Sequence, residues 1–138
     1  MHALTRELYF ITSTVIDWIV GIKNGIAIGD VLRDFKKFTS KKIINAIQEN
    51  QQESRKEWLL NRFHFRAAND KKIKEFKFWQ EDNHIEQINT YDFFKQKLEY
   101  IHLNPVKQEF VVRPEDYFYS SARNYSGLNG LLNVIVIK

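Results

Sequence analysis

The chain has no cysteine among its 138 residues. Disulfides, cysteine-ligated zinc and a thiol nucleophile are therefore excluded, and the absence fits a reducing compartment. Two prolines and five glycines are too few to break the chain often, so long regular elements are expected. No apolar run approaches the roughly 18 residues that span a bilayer, and no basic-then-apolar leader opens the sequence. These absences predict a soluble, cytoplasmic protein with no membrane partner. The four histidines are His2, His64, His84 and His102, and no two are spaced i, i+2. A strand offering two imidazoles on one face to a shared cation is thus missing as well.

What is present has a globular balance. Hydrophobic residues make up 43% and charged residues 28%, enough for one domain over residues 1–138 with a real core. Eleven Phe, six Tyr and three Trp supply either a packed aromatic core or surfaces on which bases stack. The net charge of +4 favours polyanionic partners, because Lys and Arg neutralise phosphates.

Along the chain, Leu8 to Val20 (LYFITSTVIDWIV) is rich in β-branched and aromatic residues and reads as one largely buried strand. GIKNGIAIG follows, with Gly21, Gly25 and Gly29 evenly spaced. It reads as a flexible connection, since it lacks the G-x-G-x-x-G or G-K-S/T of a phosphate loop. Asp30 is placed to cap a helix, VLRDFKKFTSKKIINAIQ. Val31, Leu32, Phe35, Phe38, Ile43 and Ala46 gather on its apolar side. Arg33, Lys36, Lys37 and Lys41 form a basic stripe on the other, which reads either as a solvated face or as a contact to a DNA backbone.

A second helix is expected over ESRKEWLLNRFHF, burying Trp58, Leu59 and Phe63. After it, Lys71, Lys72, Lys74 and Lys77 interleave with Phe76, Phe78 and Trp79. That mixture suits base stacking with phosphate binding, or a strand or loop whose aromatics pack inward. A third helix starts at an Asn89 or Thr90 cap and runs from Tyr91 to Leu103, with Phe94, Leu98 and Ile101 at core spacing. Pro105 is expected to end it. RPEDYFYSSARNYSG then reads as a turn opened by Pro114 and a short helix closed by Gly127, and LLNVIVIK as a strand able to pair with the first. The fold class predicted is α+β, mostly helical, with a small sheet from the two ends.

Within EYIHLNPVK, Tyr100 and Asn104 stand four apart and so share a helical face, with Lys97 three residues before Tyr100. A phenol of pKa about 10 is a poor nucleophile unless a cation stabilises the phenolate. An amide oxygen one turn away is a suitable hard ligand for Mg²⁺ or Mn²⁺. By spacing alone, Tyr100 reads first as an ordinary aromatic near a helix end, and Asn104 as an ordinary cap before a proline. His102 points away from Tyr100 and reads as partly exposed or capping. His64 reads as a helix-side or core residue, and His84 as a loop residue.

The segments FWQEDNH, YIHLNPVK and PEDYFYSSARNY occur in that order at compatible spacing. Together with YFITSTVIDW they resemble HUH-type single-tyrosine transposases, specifically the REP-associated branch, over about residues 30–127. The resemblance implies transesterification of single-stranded or hairpin DNA, with Tyr100 attacking a phosphodiester to form a 5′-phosphotyrosine. Asn104 matches the amide that helps hold Mg²⁺ or Mn²⁺. The DNA-contact candidates, taken from their charge, are Arg33, Lys36, Lys37, Lys41, Lys97, Lys107 and Arg123. The resemblance also implies a homodimer, or association with an intact relative, and a remnant of a ferredoxin-like domain. The family's His-hydrophobic-His segment has no counterpart here: only about a dozen residues separate VIDWI from GDVLRDFKKF. A shortened copy with impaired chemistry, or a binding remnant with none, is what that departure implies.

Overall fold

In the computed structural model, residues 6–13, 16–69, 76–79 and 83–138 are described. Thr14, Lys71, Lys72, Lys74 and His2, which entered the sequence reading, lie outside them. In chain order the elements are β1 (Arg6–Ser13), β2 (Ile16–Lys23), α1 (Ile28–Glu49), α2 (Lys56–Ala68), β3 (Asn83–Ile88), α3 (Tyr91–Lys107), a 3₁₀ turn (Pro114–Asp116) and α4 (Ala122–Tyr125). The class is α+β, with more helix than strand.

The sheet is antiparallel throughout, in the order β2-β1-β3. Two expectations are corrected by it. Leu8 to Val20 is a hairpin rather than one strand: Ser13 stands opposite Ile16 and Arg6 opposite Lys23. The 131–138 tail joins no strand. Its expected partner, β1, is the central strand, with β2 on one edge and β3 on the other, so no ladder position is left for it.

Register assigns each side chain to a face, because alternate residues point to opposite sides. Phe10 lies between Ile19 and Glu86, Leu8 between Gly21 and Ile88, and Thr12 between Asp17 and His84. That face carries α3: Leu8, Phe10, Ile88 and Phe94 form a buried cluster, with Phe93, Leu98, Ile101 and Ile137 packed against it. The opposite face holds Ile11, fully buried, between Trp18 and Ile85. The Trp18 ring lies 4.7 Å from Phe35 of α1, and Phe35 lies 5.8 Å from Trp79. Helices thus cover both faces of a three-stranded sheet.

Local chemistry sets the helix ends. α1 starts at Ile28 with Ala27 as N-cap, so Asp30 lies inside the first turn instead of capping it. There its carboxylate still complements the helix dipole and pairs with Arg33 at 2.9 Å. Gly21 belongs to β2 and Gly29 to α1; the connection shrinks to residues 24–27, with Gly25 at φ 86°. In α3, the Thr90 hydroxyl accepts the Phe93 N–H, as an N-cap does. Pro105 does not end α3, which runs on to Lys107. A proline removes one helical donor, yet Gln108 N–H still reaches Asn104 C=O at 2.9 Å. The helix closes with the Phe110 N–H on Pro105 C=O and the Glu109 N–H on Val106 C=O. This is a Schellman arrangement, with Glu109 in the left-handed position at φ 61°.

The apolar sides expected of α1 and α2 are correct only in part. Leu32 is buried, but Phe38 is 64% exposed and Ala46 is exposed, while Ile44 is buried in their place. Trp58 of α2, expected inside, is 58% exposed and lies under the Arg62 guanidinium; Ala67 is the buried residue of that helix. One sheet face is too narrow for two wide apolar stripes, so the outermost residues of each stripe stay in solvent.

Candidate functional site

Tyr100 stands on the α3 surface that faces the sheet. Its ring meets Phe10 of β1 edge-to-face at 6.1 Å and remains nearly half exposed. Asn104, one turn on, is half-buried. The Lys107 ammonium sits 5.9 Å over the Tyr100 ring, within the range of a cation–π contact. Helix periodicity alone brings Tyr100, Asn104 and Lys107 to one side of α3.

Lys97 is turned to a different task. Its ammonium binds the Glu86 carboxylate of β3 at 2.8 Å and lies 4.6 Å over Phe10 and 5.0 Å over Phe93. The hydrogen bond from Lys97 holds the Glu86 carboxyl below its ordinary range, assisted by the charge attraction between them. Glu86 was invisible to sequence reasoning as a site residue. It lies eleven positions from Lys97, in another element, and only the docking of α3 on β3 joins them. His84, expected in a loop, is the second residue of β3, largely exposed, with its Nε2 3.7 Å from Glu86.

The expected DNA-contact residues divide into two groups. Lys37 and Lys41 are exposed on α1, four residues apart, and Lys107 is exposed at the end of α3. Arg33 is held by Asp30 and Asp34 at 2.9 and 3.1 Å. Lys36 is half-buried. Arg123 is half-buried and donates to the Asn129 and Glu115 carbonyls, fastening the 3₁₀ turn and the tail to α4. The aromatics after α2 pack inward. Trp79 is buried, with its indole N–H on Thr39 Oγ1; Phe78 meets Phe63 at 5.4 Å, and Phe76 meets His64 at 6.0 Å. His64 itself is exposed.

On the far side of α3, His102 is half-buried between that helix and α4. Its Nε2 is 2.8 Å from Ser121 Oγ, and its ring meets Tyr125 at 5.2 Å. Burial lowers its pKa below the ordinary value. This pair anchors the 3₁₀–α4 segment to α3 and is separate from the Tyr100 surface.

Among the described residues, no group of three His, Cys, Asp or Glu side chains could hold a metal ion. Asn104 offers one amide oxygen, and Glu86, in the nearest His-carboxylate pair, is already bound by an ammonium. Among the described residues the donor set does not fit Mg²⁺ or Mn²⁺, hard cations usually held by at least one or two free carboxylates. Searches among family models, curated proteins and solved structures found no match to this chain.

Proposed function

We propose that this chain is a transposase-like protein of the single-tyrosine class, acting on single-stranded or hairpin DNA, with its chemistry impaired. The observation that supports it best is the exposed Tyr100 phenol on a rigid helix, with Asn104 one turn away and the Lys107 ammonium over its ring. In this reading the Tyr100 oxygen attacks a backbone phosphorus. A bond forms between that oxygen and phosphorus, the bond from phosphorus to the 3′-oxygen breaks, and the leaving 3′-hydroxyl takes up a proton. Reversal rejoins the strand, so no energy source is consumed. Lys107 offsets charge on the phenolate and phosphate oxygens. No step is assigned to a metal, whose ligands are not assembled among the described residues. Losing that assistance removes several kcal/mol of transition-state stabilisation, so the chemistry is slowed. The three-stranded sheet is then what remains of a ferredoxin-like domain.

A second reading is favoured by Lys37 and Lys41, two exposed cations on one face of α1. In it the chain binds DNA, alone or as partner of an intact relative, and catalyses nothing. Incubation with a hairpin-flanked single strand, with and without Mg²⁺ or Mn²⁺, separates the two. A covalent adduct on denaturing gels that disappears in Tyr100→Phe carries the first reading. Retention of DNA without an adduct carries the second. No salt-sensitive binding at all removes both.

A further inference from the structure

Trp58 shares its exposed side of α2 with a second large ring. Phe65, seven residues on, is 68% exposed. Seven residues are close to two turns, so the two side chains stand on one side of the helix, about 10.5 Å apart along its axis. Arg62 lies between them on that side, with its guanidinium 5.7 Å over the Trp58 ring. An aromatic, a cation and a second aromatic thus line one exposed stripe.

Positive charge concentrates beside it. The Lys56 ammonium reaches the Gln48 carbonyl at 2.9 Å, and Phe63 is joined through Phe78 and Trp79 to Phe35 and Thr39. α2 therefore runs antiparallel to α1, with its stripe-bearing turns beside the middle of that helix. Residues 35–48 and 58–68 contain Lys36, Lys37, Lys41, Lys42, Arg62 and Arg66 and no Asp or Glu. Those six cations exceed the net charge of the whole chain, +4. The nearest acids lie beyond these turns: Asp34 is taken by Arg33 and Glu53 by Arg55, while Glu49 and Glu57 flank the connecting loop. Among the described residues, no carboxylate pairs with Lys37, Lys41, Lys42 or Arg62. The aromatic–cation pairing recurs on α1, where the Lys42 ammonium lies 5.7 Å over the exposed Phe38 ring.

Cations alone suit any polyanion. Exposed rings interleaved with them are more selective. Unpaired bases stack on aromatic rings and on guanidinium planes while neighbouring cations meet the phosphates. A duplex keeps its bases stacked on one another, and an acidic peptide offers charge without flat rings.

We propose that the α2 stripe is a stacking surface for single-stranded nucleic acid. Trp58 and Phe65 take unpaired bases, and Arg62 with Lys37, Lys41 and Lys42 of α1 holds the backbone. α1 packs on the sheet face opposite α3, so this surface grips the strand away from Tyr100. The inference rests on the proposed binding of single-stranded DNA and not on any chemistry at Tyr100.

The test titrates the chain, over a range of salt, with an oligo-dT of about 20 nucleotides, longer than one such site. An abasic strand of the same length and polyglutamate of equal charge serve as comparisons. Trp79 is buried and Trp18 half-buried, so oligo-dT is expected to quench tryptophan emission chiefly at Trp58, and the quenching should disappear in Trp58→Phe. Trp58→Ala and Phe65→Ala change no charge. Each should weaken oligo-dT binding roughly five- to a hundredfold, with unchanged circular dichroism, salt slope and affinity for the abasic strand. The proposal is overturned if the abasic strand, polyglutamate or a duplex binds as tightly as oligo-dT, or if both alanine variants stay within fivefold of the wild type. In those outcomes salt-sensitive binding of the single strand stands and the stacking surface falls. Absence of any oligo-dT binding at low salt removes the DNA reading itself, and this inference with it.

Discussion

Trp79 donates its indole N–H to Thr39 Oγ1 at 2.9 Å, across forty residues of sequence, and Thr39 Oγ1 in turn donates to the Phe35 carbonyl at 2.7 Å. This two-step relay ties the segment after α2 to the middle of α1, where Phe35 and Trp79 also share a ring contact. Thr39→Val keeps the shape but leaves the buried indole donor without a partner. A loss of about 1–3 kcal/mol is expected, read from urea unfolding followed by tryptophan fluorescence.

Trp18 presents the opposite case. Its indole nitrogen is buried and, among the described residues, has no hydrogen-bond partner. Replacing it by Phe removes the desolvated donor while keeping an aromatic ring on Phe35. Trp18→Phe is therefore expected to cost less than Trp79→Phe, which breaks a made bond. Equal losses from the two would contradict the contrast; the measure is the unfolding midpoint of each variant.

The end of α3 holds a non-glycine residue in left-handed conformation. Glu109→Gly removes the steric penalty of φ 61°, which is about 1–2 kcal/mol for an L-residue. It also loosens the unfolded chain, and the two partly cancel. A net gain of about 1 kcal/mol in denaturant unfolding is expected, without change in helix content.

His102 gives a pH dependence of known sign. Burial lowers its pKa in the folded chain below its ordinary value of 6.5, so protonation favours the unfolded chain, which binds the proton more readily. Its contribution to stability is complete above pH 6.5 and is lost as pH falls below that value toward the lowered folded value. The Glu86 and Glu53 carboxyls, held below their ordinary range by Lys97 and Arg55, act in a more acidic window. Thermal unfolding from pH 8 to 5 should show the decline, and His102→Gln should flatten it.

Lys37 and Lys41 can be tested by ionic strength. If both meet phosphates of a single strand, changing both to Ala lowers the slope of log affinity against log salt by roughly 1.4, at about 0.7 per contact. Arg123→Ala should instead destabilise the fold, since its guanidinium serves the Asn129 and Glu115 carbonyls. Titration of a labelled oligonucleotide over a range of salt measures the first effect, and thermal unfolding the second.

The sequence was most informative where one short signal decides an element. Asn89 and Thr90 before an apolar helical pattern marked the start of α3, with Thr90 the cap in the structure, and Pro114 and Gly127 marked the turn and the close of α4. The hairpin was missed because no glycine or asparagine sits between Ser13 and Ile16. Two adjoining strands without a turn residue read as one. The tail had the composition of a strand, but pairing depends on which edges other segments already occupy, and β1 had none free. At the candidate site, the shared face of Tyr100 and Asn104 followed from helix periodicity. The capture of Lys97 by Glu86 did not, because it depends on how α3 docks on β3.

The central position of β1 also sets an order of events during synthesis. Its first neighbour, β2, ends at Lys23, whereas its second, β3, is complete only at Ile88. At about 5–20 residues per second, the 65 residues between them (88 − 23) take roughly 3–13 s to emerge. Through that interval the β1 edge that β3 will take has no third strand of its sheet, and a lone two-stranded hairpin is marginal in water. Any chaperone or neighbouring nascent chain able to cap a single strand edge has those seconds in which to do so, and only the arrival of β3 closes the opportunity.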